Sequence, residues 1–348
     1  MKRFTIYLIL GMVLAVSAFA QIDLQPAAIV SLTRSEPITV RQYRNEIDTM
    51  ERQAGRPLTS AERRQILDVM INNVLVLQAA ERDRITISEG EVNQEIQQLR
   101  TNMAQSLGRQ PTDAEFAQAV RNETGLELPA FREQLRRQLL IQRYILARRE
   151  NDFRNIRIPT EADIANTYNL TRTQFIRPDT VRVTMIQIPF TDAATRARAR
   201  ETADRLVREI GTDTSRFDAA VLRGRPFNAN ADYEAGDAGY LPRNMEAMQM
   251  VGQDFMHVAF RLRQGEVSRL LETPRSFQII KVTESHAQRI LELDDIFQLG
   301  TTITVRDYIG NVLLQQNQQE VLTRVTQELI IELRTGNPFR IYENNLNW

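Results

Sequence analysis

The side chains able to do acid–base, nucleophilic or metal chemistry are few in this chain, and their spacing excludes most enzyme classes. There are 0 cysteines, so thiolate nucleophiles, Cys-based metal sites and disulfides are excluded. The 2 histidines, His257 and His286, lack partners at metal-ligand spacing and read as structural or solvated. The most structured pattern runs from Gly236 to Val282. It opens with Gly236-Asp237-Ala238-Gly239-Tyr240 and continues through Phe255, Ala259-Phe260, Leu262, Gly265-Glu266-Val267-Ser268 and Thr273. It closes on Phe277-Gln278-Ile279-Ile280-Lys281-Val282. Gly236, Gly239 and Gly265 are expected in turns rather than around a phosphate, and Asp237 is expected to bond turn amides. Met245, Met248, Met250 and Met256 form a Met-rich stretch. Such flexible, polarizable side chains suit a promiscuous peptide surface, and equally well fill the core of a short helix. No metal or cofactor is expected.

The elements that position this pattern can be read from periodicity. From Asp179 the chain alternates, with Val181, Val183, Met185 and Gln187 on one face and Arg182, Thr184, Ile186 and Ile188 on the other, a strand partly buried on both sides. A helix follows over 193–210, then the glycine-rich segment, a short Met-rich helix and a closing strand at 276–283. This alternation describes a small α/β roll of about a hundred residues.

The flanks are helical. Residues 28–40 read as a strand followed by a turn at Ser35-Glu36-Pro37-Ile38, with Thr39 capping the next helix. Tyr43, Ile47 and Met50 recur at helical spacing until Gly55-Arg56-Pro57, and Ser60 to Arg84 carries the broadest apolar face. Ser88 with Glu91 and Thr112 with Glu115 fit the capping box, Thr160 with Asp163 gives a further short start, and Pro129 opens a helix reaching about Arg149. A long helix from Thr304 to Arg334 and a last strand at Phe339-Arg340-Ile341-Tyr342 follow the roll. That helix needs an apolar partner, so it is expected to return to the N-terminal helices, with the last strand pairing with the first.

Charge and the N-terminus bound the setting. With 44 basic and 44 acidic residues, net charge offers no attraction for nucleic acid. Lysine occurs only at Lys2 and Lys281, and the arginine pairs Arg136-Arg137 and Arg148-Arg149 read as solvated helix faces. Lys2-Arg3, the apolar run Phe4 to Val16 and Ala18-Phe19-Ala20 make a signal peptide over 1–20, cleaved before Gln21. The run is shorter than the about 18 apolar residues a membrane span needs. The mature protein is expected to be exported, with no stable membrane span.

The order and spacing from Gly236 to Val282 resemble the parvulin (PpiC-like) prolyl isomerases. The whole layout is similar to that of SurA-like and PrsA-like proteins: signal peptide, helical domain beginning with a strand, parvulin-like module, returning helix. Ile85-Thr86-Ile87-Ser88-Glu89-Gly90-Glu91-Val92 is similar to a turn between helices of the SurA-type domain. The resemblance places Met185 and Gln278 where parvulins carry two histidines, and puts Met250, Val251, Phe255 and Phe277 near the proline pocket. Met185 cannot hydrogen-bond usefully, and Gln278 can bond but cannot titrate near neutral pH.

These readings give an α+β protein in which a mostly helical, discontinuous chaperone domain (21–175 and 286–348) carries an inserted parvulin-like roll (176–285). The resemblance implies a periplasmic folding chaperone, a holdase for unfolded or outer-membrane clients held between helical domain and module. No catalytic residue is expected, Met185 and Gln278 being degenerate positions. Two alternatives stand: an active peptidyl-prolyl cis-trans isomerase with an altered pocket, and an envelope assembly protein with a single partner, dimeric through its helical domain.

Overall fold

The computed structural model describes residues 24–211, 213–224 and 232–346, so the signal peptide expected at 1–20 lies outside the described residues. The chain divides into two compact units, residues 1–157 with 316–348, and residues 158–315.

The first unit begins with a hairpin, β1 (Pro26–Val30) and β2 (Glu36–Thr39), paired antiparallel with Val30 opposite Glu36 and Ala28 opposite Ile38. The stretch expected as a turn at 35–38 is therefore mostly strand. Pro37 is tolerated there because β2 is an edge strand, where a missing ladder donor faces outward. Helices α1 (Val40–Ala54), α2 (Ser60–Arg82), α3 (Glu89–Leu107), α4 (Asp113–Thr124), α5 (Leu128–Arg148) and α6 (Glu150–Arg154) follow. Thr59/Glu62, Ser88/Glu91 and Thr112/Glu115 close capping boxes at the starts of α2, α3 and α4. Each box carboxylate also takes an arginine from outside its helix: Arg56, Arg143 and Arg109 respectively. Those arginine bonds, and then the cap's own amide and hydroxyl, hold the three carboxyls down at about 2. Leu67, Ile71 and Leu75 of α2 pack against Tyr43 and Ile47 of α1 and Tyr144 of α5, all buried. Gln78 is fully buried within α2 and satisfied: its Oε1 accepts from the Leu32 and Thr33 amides while its Nε2 donates to Glu36. One buried amide thus fixes the β1–β2 turn to the central helix.

The second unit contains α7 (Glu161–Thr171), β3 (Ile176–Arg177), β4 (Thr180–Pro189), α8 (Ala193–Ile210), α9 (Thr214–Arg223) and β5 (Glu234–Pro242). Then come α10 (Met245–Val251), α11 (Gln253–Ala259), β6 (Leu271–Glu272), β7 (Ser276–His286) and β8 (Arg289–Ile290). Its main sheet is antiparallel in the order β5-β4-β7-β6, and β3 pairs with β8 in a separate ribbon. The glycine-rich segment expected as a turn is the edge strand β5. Gly236 sits in its ladder opposite Met185, and the pairing shifts at Ala238, leaving the positive-φ Gly239 beside the bulge. Helix α9 has no counterpart in the sequence reading; it buries Phe217, Ala220 and Val221 against the sheet.

A smaller core of Ile164, Tyr168, Phe175, Leu291, Val305 and Ile309 draws 158–175 and 286–315 into this unit. The sequence boundaries at 175/176 and 285/286 assigned those segments to the helical domain. Helical periodicity says that a face is apolar, not which neighbour covers it.

The chain then runs through α12 (Val305–Arg334) to β9 (Phe339–Ile341). Val325, Leu329 and Leu333 of α12 enter the core of α1, α2 and α5. Strand β9 pairs with β1, Phe339 opposite Val30 and Ile341 opposite Ala28, as the sequence led us to expect. Among the described residues no helix is long and apolar enough to cross a membrane.

Candidate functional site

A cavity of ≈ 440 Å³ opens on one face of the second unit's sheet. Val183, Met185 and Gln187 of β4 and Gln278 of β7 line it along the sheet. Leu241, Ala238 and Gly239 come from β5, Met250 and Val251 from α10, Phe255 from α11, and Thr273, Pro274 and Arg275 from the β6–β7 turn. Period-two alternation brings the strand residues together: Gln187 pairs directly with Gln278 and Met185 with Ile280, so Met185 and Gln278 are diagonal neighbours. Of the residues singled out in the sequence, Met185, Gln278, Met250, Val251 and Phe255 meet here.

Phe277 does not line the cavity. It is buried on the opposite face with Leu206 and Phe217, its ring 5.2 Å from that of Phe190. Successive strand residues point to opposite faces, so Gln278 at the cavity forces Phe277 away from it. The sequence reading missed Gln187, Thr273 and Arg275 as lining residues; the parity of β4 was a usable signal for Gln187, Thr273 stood in the pattern without a role, and nothing pointed to Arg275.

The polar chemistry of the cavity is sparse. Gln278 Nε2 donates to Ser276 Oγ at 3.0 Å, while its Oε1 is shielded from solvent and accepts no hydrogen bond. The turn is closed by the Thr273 amide on the Ser276 carbonyl (2.9 Å) and the Ser276 amide on Thr273 Oγ1 (3.0 Å). Arg275 is exposed and is the one charged residue on the lining among the described residues. Glu272, the nearest acid in sequence, is taken up by Arg196 and Arg200. The methionines divide between the two roles expected of them: Met256 is buried beside Phe255, whereas Met250 stands at the cavity mouth 78 % exposed.

A second polar group of the same sheet lies outside the cavity lining. Arg182 pairs with Asp237 (2.6 Å) and Glu284 (2.9 Å), and Glu284 also receives the Tyr240 hydroxyl (2.8 Å) and contacts His286 Nε2 (3.2 Å). The Arg182 guanidinium holds the Asp237 and Glu284 carboxyls below their usual range, and the bond to Glu284, with burial, raises the Tyr240 phenol. Asp237 accepts from the Gly239 amide at 2.9 Å, the turn-bonding duty expected of it. His257 is exposed on α11.

Residues 5–145 match the model of the SurA-like N-terminal domain, and residues 159–297 match that of the PPIC-type PPIase domain. The foldase protein PrsA of Clostridium botulinum (strain 657 / Type Ba4) is 23% identical over 310 residues, spanning 88% of this chain and 80% of PrsA. The chaperone SurA of Vibrio parahaemolyticus is 26% identical over 251 residues, spanning 69% of this chain and 55% of SurA. Among solved structures, a SurA-like chaperone of Campylobacter jejuni aligns with 91% of this chain and 100% of its own, at 11% identity and a TM-score of 0.39.

Proposed function

From the premise that this chain is a PrsA/SurA-like foldase or chaperone with a PPIC-type PPIase domain, we propose that it is an exported holdase whose PPIase domain has become a peptide-binding platform. In this reading it works in the periplasm on unfolded or outer-membrane client segments, without nucleotide or metal. The observation that supports it most is the cavity itself. Its apolar lining persists, while Met185 and Gln278 stand on its strands with no hydrogen bond linking them. Met250 and Phe255 offer soft, poorly directional contact, which accepts varied apolar side chains. The helical unit, residues 24–157 with 316–346, contributes the chaperone body.

An alternative reading, an active isomerase, draws on the same cavity. Rotating a prolyl bond requires lowering a barrier of roughly 18–20 kcal/mol by holding the imide twisted in a preorganised pocket, with little covalent chemistry. One experiment separates the two. The cis-to-trans rate of a proline tetrapeptide series is measured with the mature protein, beside suppression of aggregation of several unrelated clients by the same sample. Suppression without acceleration supports the platform. Rapid turnover overturns it in favour of the enzyme, and failure of both assays removes the chaperone reading.

A further inference from the structure

We propose that Arg275 makes the cavity selective for peptide segments that carry Asp or Glu beside the apolar residue, proline included, that enters it. This rests on the reading of the cavity as a peptide site and names the substrate class it favours.

Two observations lead there. First, the cavity is lined mainly by Val183, Met185, Leu241, Met250, Val251 and Phe255, so what enters is an apolar side chain. Second, its one charge is a guanidinium with no ion-pair partner among the described residues. In the same unit Arg182, Arg196 and Arg200 are engaged by carboxylates of the chain itself. Glu272, three positions before Arg275, already holds Arg196 and Arg200. An unpaired guanidinium at the rim of an apolar cavity presents a planar fork matched to a carboxylate, which a bound segment can supply bidentately.

Together these describe an extended segment with an apolar residue in the cavity and a carboxylate on Arg275. A lysine-flanked segment meets a like charge at the same rim.

The test uses the full mature chain and three fluorescein-labelled hexapeptides sharing an Ala-Pro-Phe core and differing only in one flanking residue: Glu, Gln or Lys. Fluorescence anisotropy is expected to show the Glu peptide binding about fivefold more tightly than the Gln peptide, and the Lys peptide more weakly than either. Arg275→Gln should bring the Glu-to-Gln ratio to one, and Arg275→Glu should invert the order in favour of Lys. The side chain is exposed, so both variants should keep the parent melting temperature, checked by circular dichroism. Equal binding of the three peptides, or a Glu preference that survives Arg275→Gln, overturns the role of Arg275 and leaves the peptide site standing. Binding of none of the peptides overturns both.

Discussion

The two faces of the β5-β4-β7-β6 sheet are built from the same strands and finished in opposite ways. On one, Ile186, Ile188, Phe277 and Ile279 are sealed beneath α8 and α9, and Phe217, Leu206 and Phe190 complete a closed core. On the other, Val183, Ile280 and Val282 pack against Phe255 and Ala259, but two seven-residue helices cover only part of the surface and a cavity remains. Long amphipathic helices cover a sheet continuously. Short ones leave gaps, and here the gap gathers Met250, Val251 and Phe255, while Phe277 lies on the sealed face. The difference teaches that closed core and open cavity are divided along β7 residue by residue, with Phe277 serving one face and Gln278 the other.

That division can be broken by substitution. The largest effect should come from the sealed face: Phe277→Ala removes a fully buried ring and should cost about 3–5 kcal/mol, read as a lower denaturant midpoint. A loss below about 1 kcal/mol would mean that this face is not a packed core. On the open face Gln278→Met should stabilise the unit by about 1 kcal/mol, because removing an orphaned buried acceptor outweighs the lost bond to Ser276. Destabilisation by a similar amount would show that the amide is satisfied in solution. Met250→Ala should change stability by less than about 0.5 kcal/mol while weakening peptide binding about threefold, measured by anisotropy against the parent.

The smallest expected effect concerns Arg182. The folded pKa values of Asp237 and Glu284 lie below their unfolded ones, so their contribution is complete above the ordinary carboxylate range and is lost as pH falls through the lowered values. Arg182→Gln should therefore lower the melting temperature by about 1–2 °C at pH 7, and the difference should shrink as pH falls below the ordinary carboxylate range and the two acids take up protons. A gap that persists at low pH would assign Arg182 a packing role, through its contact with the Tyr240 ring, instead of an electrostatic one.

Much of this was legible locally. Ser88/Glu91, Thr112/Glu115 and Thr160/Asp163 announced helix starts because a capping box is closed by residues three apart. The alternation of β4 separated Met185 from Ile186, and the returning α12 and β9 followed from an apolar face with no nearby partner. Other features were hidden because their cause is not local. Strand β5 looked like a turn, since glycines that weaken an isolated strand are accepted when a neighbour supplies the ladder. Glu36-Pro37 looked like a turn because nothing local marks an edge strand.

The sequence alone therefore determined the elements, their caps, the absence of thiol and the scarcity of imidazole chemistry, and the resemblance that names the two domain types. These follow from contacts within a few residues of chain or from composition. Tertiary structure alone decided which side of β7 looks into the cavity, that Phe277 belongs to the other side, that 158–175 and 286–315 join the second unit, and that Arg275 has no ion-pair partner among the described residues. Each of those is settled by which distant surface arrives to cover a residue, and alternation or periodicity can mark a face without saying what will lie against it.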